Sequence, residues 1–228
     1  MISVKTPSNC GGPATASGAP GYLILRVTMS GYRPFWRRLR FPAHFTLHDL
    51  HRAIQAVTLF ENDHLHQFVD ENDQLYVPKS DAGLGFFAAP SHSRREEETT
   101  AGAVLRKKGD NIRYEYDFGD GWDFSIKVES GEPFHKGEKP RIACLGGEKA
   151  GPVEDCGGTG GFLNLLKMLA SPAPDEKDRW MLEMVGEDYD PERFDVDAAN
   201  RALARIKGPR IAGPKKTKES PGKADTGE

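Results

Sequence analysis

Two runs of strict alternation, joined by Asp120-Gly121, constrain this chain more than any other feature. In the first, Ile112, Tyr114, Tyr116 and Phe118 alternate with Arg113, Glu115 and Asp117. In the second, Trp122, Phe124, Ile126 and Val128 alternate with Asp123, Ser125, Lys127 and Glu129. A period of two puts every apolar side chain on one face of a strand pair and the charged ones on the other. Asp-Gly at the join is a strong hairpin turn. The chain therefore needs a sheet with one buried, aromatic face. That face reads as core held by cross-strand packing, with an aromatic ligand platform as the other use of such a surface.

The remaining periodicities add helices. Tyr22 to Met29 is a β-rich run, Ser30–Pro34 is turn material, and Phe35 to Phe41 returns as a strand. Thr46 caps a helix with Leu47, Leu50, Ile54 and Val57 on one face. His64–Val69 reads as a strand, and Glu71–Gln74 turns into a short partner at Leu75–Val77. Residues 79 to 101 read as a long loop or insertion carrying the charge run SRREEE. Gly131–Gly161 reads as loop. Phe162, Leu165, Leu166 and Leu169 mark an amphipathic helix, residues 176 to 185 suggest a second, and Asp195 caps a third with Val196, Ala199, Leu203 and Ile206 on one face.

The expected fold is α+β: an antiparallel sheet from two β-hairpins plus short strands, with helices packed on one side. The domain is expected over residues 21–206, with sub-lobes at 21–78 and 101–206. Residues 1–20, rich in Gly, Pro, Ser and Ala, and the basic tail 207–228, with six Lys/Arg against three acids, are expected to be disordered.

Composition narrows the function classes. No run of about 18 apolar residues occurs, so no membrane partner is expected. The N-terminus lacks the apolar core of a secretory signal, and three cysteines without a CxxC pair read as reduced cytoplasmic thiols rather than a disulfide frame or zinc ribbon. A formal net charge of -3 argues against bulk electrostatic binding of nucleic acid, although Arg37, Arg38, Arg40 and the tail offer a local basic patch.

Three constellations could carry chemistry. His48 and His51 are neighbours on the first helix, and His64 and His66 share one face of a strand, so HxxH and HxH could hold a transition metal if the helix packs over that strand. Asp117, Asp120 and Asp123 around the hairpin, with Glu154 and Asp155 in the later loop, could bind a divalent metal or serve as acid and base. The acids at the hairpin also fit a turn and a solvated strand face. Cys156-Gly-Gly-Thr-Gly-Gly161 leads into a helix and could bind an anion, or simply form a tight turn; no Gly-Lys-Ser/Thr follows, so it is not a P-loop. Asp188, Asp190 and Glu192 resemble the start of a calcium loop, but Arg193 stands where its glycine is required.

The ordered series RPFWRRLRFP, LHDLHRAIQ, HLHQF, YEYDFGDGWDFSIKVE, VEDCGG before the GFLNLL helix, and YDPERFDVDAANRAL resembles the plasmid pRiA4b ORF-3-like family over about residues 21 to 206. Its members are often labelled insertion-element passenger or TnpR-like proteins. The resemblance implies an α+β fold and a plasmid or mobile-element association. It does not imply serine-recombinase chemistry: Ser30 sits at a hairpin turn, and no basic helix-turn-helix follows. The chain departs from the family pattern at Phe124, Gly151, Val153, Pro174 and Lys177. The pattern's remaining metal-ligating positions are His51, His64, His66, Cys144 and Cys156.

These readings lead to an accessory binding module for a protein partner, acting through the Asp117–Asp123 turn and the Glu154–Gly161 loop. Its binding surface is expected at Asp117, Asp120, Trp122, Glu154, Asp155, Cys156, Gly157 and Gly158. The alternatives are a metal-dependent hydrolase or nuclease using the histidines and carboxylates with a divalent metal, and a nucleic-acid-binding protein.

Overall fold

The computed structural model describes residues 20–79, 90–135, 137–172, 179–186 and 188–209. Along the chain run β1 (Tyr22–Met29), β2 (Tyr32–Pro42), α1 (Leu47–Thr58), β3 (His66–Asp70), β4 (Leu75–Val77) and β5 (Arg94–Arg95). Then follow α2 (Ala101–Val104), β6 (Asn111–Tyr116), β7 (Trp122–Glu132), β8 (Ala143–Glu148), α3 (Gly158–Leu169), α4 (Arg179–Met184) and α5 (Val196–Leu203). All eight strands form one sheet in the order β5-β4-β3-β6-β7-β1-β2-β8. Strands from both expected sub-lobes are interleaved in it, since β3 pairs with β6 and β1 with β7.

The hairpin forms as expected, with Ile112 opposite Ile126, Tyr114 opposite Phe124 and Tyr116 opposite Trp122. Its loop is longer than an Asp-Gly turn needs. Asp117 takes a left-handed φ of 55°, and Gly121 N–H donates to Asp117 C=O at 2.6 Å, so five residues make the connection. Phe118 therefore leaves the apolar face and is 44% exposed, whereas Trp122 and Tyr116 are fully buried. The buried face of β1, β2, β6 and β7 meets α1, α3 and α5 in one core that includes Leu25, Phe41, Leu50, Tyr114, Trp122 and Phe162. The other face is polar. There Arg38 donates to both oxygens of Glu129, and Arg40 bridges Glu132 and Glu138 at 2.8 Å each.

Helix α1 starts where Thr46 and Asp49 cap each other reciprocally: Asp49 N–H donates to Thr46 Oγ1, and Thr46 N–H to the Asp49 carboxylate. It stops at Leu59, in the left-handed conformation. Asp195 caps α5 by accepting from Ala198 N–H at 2.8 Å.

Three expectations require correction. The sheet is mixed, because β5 adds to β4 in parallel. The stretch 131–161 is not all loop: β7 extends to Glu132, and β8 pairs antiparallel with the open edge of β2. In the stretch 79–101, the described part is tied to the fold by β5, by Leu47 N–H donating to Thr99 C=O, and by the fully buried Glu96. The expected helix at 176–185 is observed over its described part as α4. The segments 1–19 and 210–228 lie outside the described residues.

Candidate functional site

The hairpin loop and the 150s loop come together over His64. Asp117 and Asp155 both hold left-handed backbone, which Asp tolerates better than most residues, and this turns their carboxylates towards one imidazole. His64 Nδ1 lies 3.7 Å from Asp117 Oδ1, and Nε2 lies 3.5 Å from Asp155 Oδ1. One ligand atom from each of the three lies within 4.8 Å of the others, a spacing that a divalent cation could bridge. Next to them Tyr116 OH donates to Glu154 at 2.5 Å, and Glu61 N–H donates to the same carboxylate at 2.7 Å. Burial, then the hydrogen bond to Glu154, pushes the Tyr116 phenol well above its usual range.

The two loops also lock together through main chain. Gly157 N–H donates to Asp120 Oδ2 at 3.2 Å. Gly158 has a φ of +64°, and a Cβ there would sit 2.0 Å from Asp120 C=O, so only glycine allows this approach. Asp120, Glu154, Asp155 and Gly157 thus form one composite surface, with Asp117, only 8% exposed, buried beside it. Trp122, Cys156 and Gly158 do not belong to its exposed part: all three are buried. Trp122 packs on Phe60 and Phe162. Burial, and then the charge of Asp120, pushes the Cys156 thiol up to about 11, which makes it a poor nucleophile.

A cleft of about 660 Å³ opens beside this surface. Its apolar lining includes Val57, Pro152, Val153, Met184 and Val185. Its charged lining is one-sided. Glu61 and Asp63 follow α1, Glu154 and Asp155 come from the 150s loop, and Asp188, Asp190 and Asp195 come from the stretch between α4 and α5. Against these seven acids stand His64, Arg193 and Arg37. Arg37 is fully buried and committed to main chain: it donates to the carbonyls of Trp36, Val57, Glu148 and Lys149 at 2.7 to 2.9 Å. Its guanidinium lies between the rings of Phe35 and Phe194, and burial lowers its pKa to about 9.

The sequence-derived metal set is dispersed. His51 and His66 stack face to face, but His51 is engaged by Tyr114 OH at Nδ1 and Asn62 Oδ1 at Nε2, and His66 Nε2 by Glu96 at 3.1 Å. His64 belongs to the Asp117 and Asp155 group. Cys144 sits on β8 with its N–H donated to Asn200. Among the described residues, the groups of three His, Cys, Asp or Glu spaced for a metal contain no cysteine. The packing that would bring HxxH over HxH does occur, and what it produces is an imidazole stack rather than a four-histidine centre.

Sequence reasoning missed Glu96, Asn62 and the acids at 188 and 190 as participants. Glu96 was concealed in a charge run that looked solvated. The histidines were the available signal, because imidazoles buried beneath a helix, as His51 and His66 are, need partners. Of the basic patch, Arg37 is buried and Arg38 and Arg40 are paired to glutamates. The tail beyond residue 209 lies outside the described residues.

The family model described as plasmid pRiA4b ORF-3-like protein matches residues 22–198. The chain is 33% identical over 181 residues to the uncharacterized protein y4hQ of Sinorhizobium fredii (strain NBRC 101917 / NGR234), covering 78% of this chain and 89% of that relative. The crystal structure of MM3350, a protein of unknown function from Methanosarcina mazei Go1, superimposes with a TM-score of 0.65 at 29% identity, over 78% of this chain and 95% of that one. The matched segment contains both the composite surface and nearly all of the cleft.

Proposed function

We propose that this chain, which belongs to the plasmid pRiA4b ORF-3-like family, is an accessory binding module whose cleft takes a basic, partly apolar segment of a partner protein. The observation that carries this reading is the cleft's lining: seven acids around an apolar strip, with one of its two arginines sequestered by carbonyls. Such a surface attracts Lys and Arg side chains electrostatically and gives their apolar neighbours a place to bury. Arg38 and Arg40 spend their charge on glutamates, which disfavours nucleic acid as the partner. A cytoplasmic setting suits the two buried free thiols, Cys144 and Cys156. No helix among the described residues is long and apolar enough to cross a membrane.

The test is fluorescence anisotropy of the full chain with a labelled amphipathic Lys/Leu peptide and its Glu/Leu counterpart. The basic peptide should bind, weaken as salt is raised, and lose affinity to a Asp63→Asn, Asp155→Asn, Asp188→Asn variant. Equal binding of the acidic peptide, or an unaffected triple variant, overturns the reading.

The convergence of His64, Asp117 and Asp155 beside the cleft favours a second reading, metal-dependent hydrolysis. It requires turnover of an activated phosphodiester with Mn²⁺ that is lost both with chelator and in Asp155→Asn.

A further inference from the structure

Outside the cleft, the first turn of α1 and the segment after β5 bring a different set of groups together. Glu96 is fully buried, and its carboxylate lies between two imidazoles: Oε1 is 2.8 Å from His48 Nδ1, and Oε2 is 3.1 Å from His66 Nε2. Main chain fixes the same pair, since His48 N–H reaches Glu96 C=O at 3.4 Å and Leu47 N–H donates to Thr99 C=O at 2.9 Å. The next residue, Glu97, adds a second carboxylate. One ligand atom each from His48, Glu96 and Glu97 lies within 4.8 Å of the others. Glu97 Oε1 accepts from Lys79 N–H at 2.9 Å, but Oε2 is sealed from solvent and receives no hydrogen bond among the described residues.

Two adjacent carboxylates, one wholly buried and one with an orphaned buried oxygen, form an acceptor-rich cluster among the described residues. Among the described residues, two neighbouring cations are used elsewhere. Arg52 lies 3.9 Å from Asp49, and Arg95 donates to Pro78 C=O. His66 is held from behind by its stack on His51, which is itself fixed by Tyr114 and Asn62. The result is a rigid donor set of one imidazole nitrogen and two carboxylate oxygens, reached from solvent along the 40% exposed side chain of His48.

We propose that His48, Glu96 and Glu97 bind a divalent transition-metal ion of the zinc class, with His66 holding Glu96 in place from outside the coordination sphere. One nitrogen and two oxygens suit such an ion and leave a fourth position for water. The outer histidine–carboxylate contact is the arrangement that orients ligands at such centres. Binding deprotonates the ligating nitrogen of His48, so the ion takes the place of the proton that imidazole shares with Glu96, and that proton passes to solvent. The ion ties the start of α1 to the segment that follows the sheet's β5 edge. The site is independent of the cleft and of the His64 group.

The experiment is equilibrium dialysis of the full chain against Zn²⁺ with elemental analysis, repeated on Glu97→Gln, His48→Gln and Asp155→Asn. Glu97→Gln preserves shape and an acceptor for Lys79, and His48 is surface-accessible, so both variants should fold; far-UV circular dichroism checks this. The expected result is about one zinc per chain with a rise in melting temperature on binding. Each of the first two variants should weaken retention at least about ten-fold, while Asp155→Asn, which alters the separate His64 group, should leave in place the zinc that depends on His48 and Glu97. The proposal is overturned if the wild type retains no zinc, if either Glu97→Gln or His48→Gln retains it like the wild type, or if Asp155→Asn abolishes it.

Discussion

The imidazoles of His51, on α1, and His66, on β3, lie face to face with centroids 3.6 Å apart and planes 3° from parallel. Stacked rings at this distance cannot comfortably both carry a proton, and the hydrogen bonds show which one gives way. His51 Nε2 faces the Asn62 carbonyl oxygen, leaving Nδ1 to accept from Tyr114 OH, which in turn accepts from Gln55. That pattern requires a neutral His51. Burial, then the charge of His66, lowers its pKa to about 3.

This predicts acid sensitivity with a definite sign. From about pH 6.5 down to about 3, the unfolded chain binds a proton at His51 that the folded chain refuses, so stability falls as pH drops. Burial pushes the Glu96 carboxyl up, but hydrogen bonds from His48 and His66 more than reverse this and hold it at about 2, adding a further loss between about 4.5 and 2. His48, raised by its bond to Glu96, acts oppositely: its contribution is full below its unfolded pKa and is lost as pH rises through its folded one. Unfolding free energy should therefore fall by up to about 1.4 kcal/mol per pH unit from His51 alone on the acid side. In His51→Gln that slope should flatten between about pH 4 and 6. An unchanged slope in urea titrations across this range would sink the assignment.

Arg37 should be a larger stability determinant than its charge suggests. Arg37→Met leaves the Val57, Glu148 and Lys149 carbonyls without their donor and should cost roughly 2–4 kcal/mol. Arg37→Lys should recover little, because one ammonium cannot reach a fan of acceptors set for a guanidinium. Urea denaturation of both variants checks this, and a loss under about 0.5 kcal/mol, the range of ordinary surface changes, contradicts it.

The hairpin's aromatic face should behave as core. Trp122→Ala, at a fully buried position, should cost about 3–5 kcal/mol, whereas Phe118→Ala, at the exposed loop, should stay within about 0.5 kcal/mol. Thermal and chemical unfolding of the pair separates core from ligand platform, since a platform tryptophan would be removed with little loss.

Two glycines in the first turn of α3 should respond oppositely to alanine. Gly158→Ala forces a Cβ to 2.0 Å from the Asp120 carbonyl at positive φ and should lower the melting temperature while parting the two loops. Gly160 faces open space within the helix, and Gly160→Ala should be neutral or stabilising by up to about 1 kcal/mol. Equal melting temperatures for the two variants would contradict this geometry.

Local signals were legible wherever a period or a cap stood in the sequence. The β6–β7 register follows the alternation of Ile112–Tyr116 against Trp122–Val128, and α1 and α5 begin at Thr46 and Asp195. Strand β8 was not legible. Its sequence, ACLGGE, has no alternation, and it becomes a strand because the open edge of β2 supplies the partners, with a bulge between Arg38 and Leu39. Arg37 read as part of a local basic patch, yet it is buried among carbonyls that come from α1 and from the 148–149 region.

The sequence by itself determined the aromatic hairpin, the capped helices and the α+β class, because these depend on neighbours within a few residues or on one turn. Tertiary structure alone decided that Asp117, from the hairpin, and Asp155, from a loop far along the chain, meet at His64, and that Glu96 is the buried acceptor for His48 and His66. The reason is physical. Whether a carboxylate is solvated or buried depends on which helix covers which strand, and side-chain periodicity specifies a face without naming the residue that will lie opposite it.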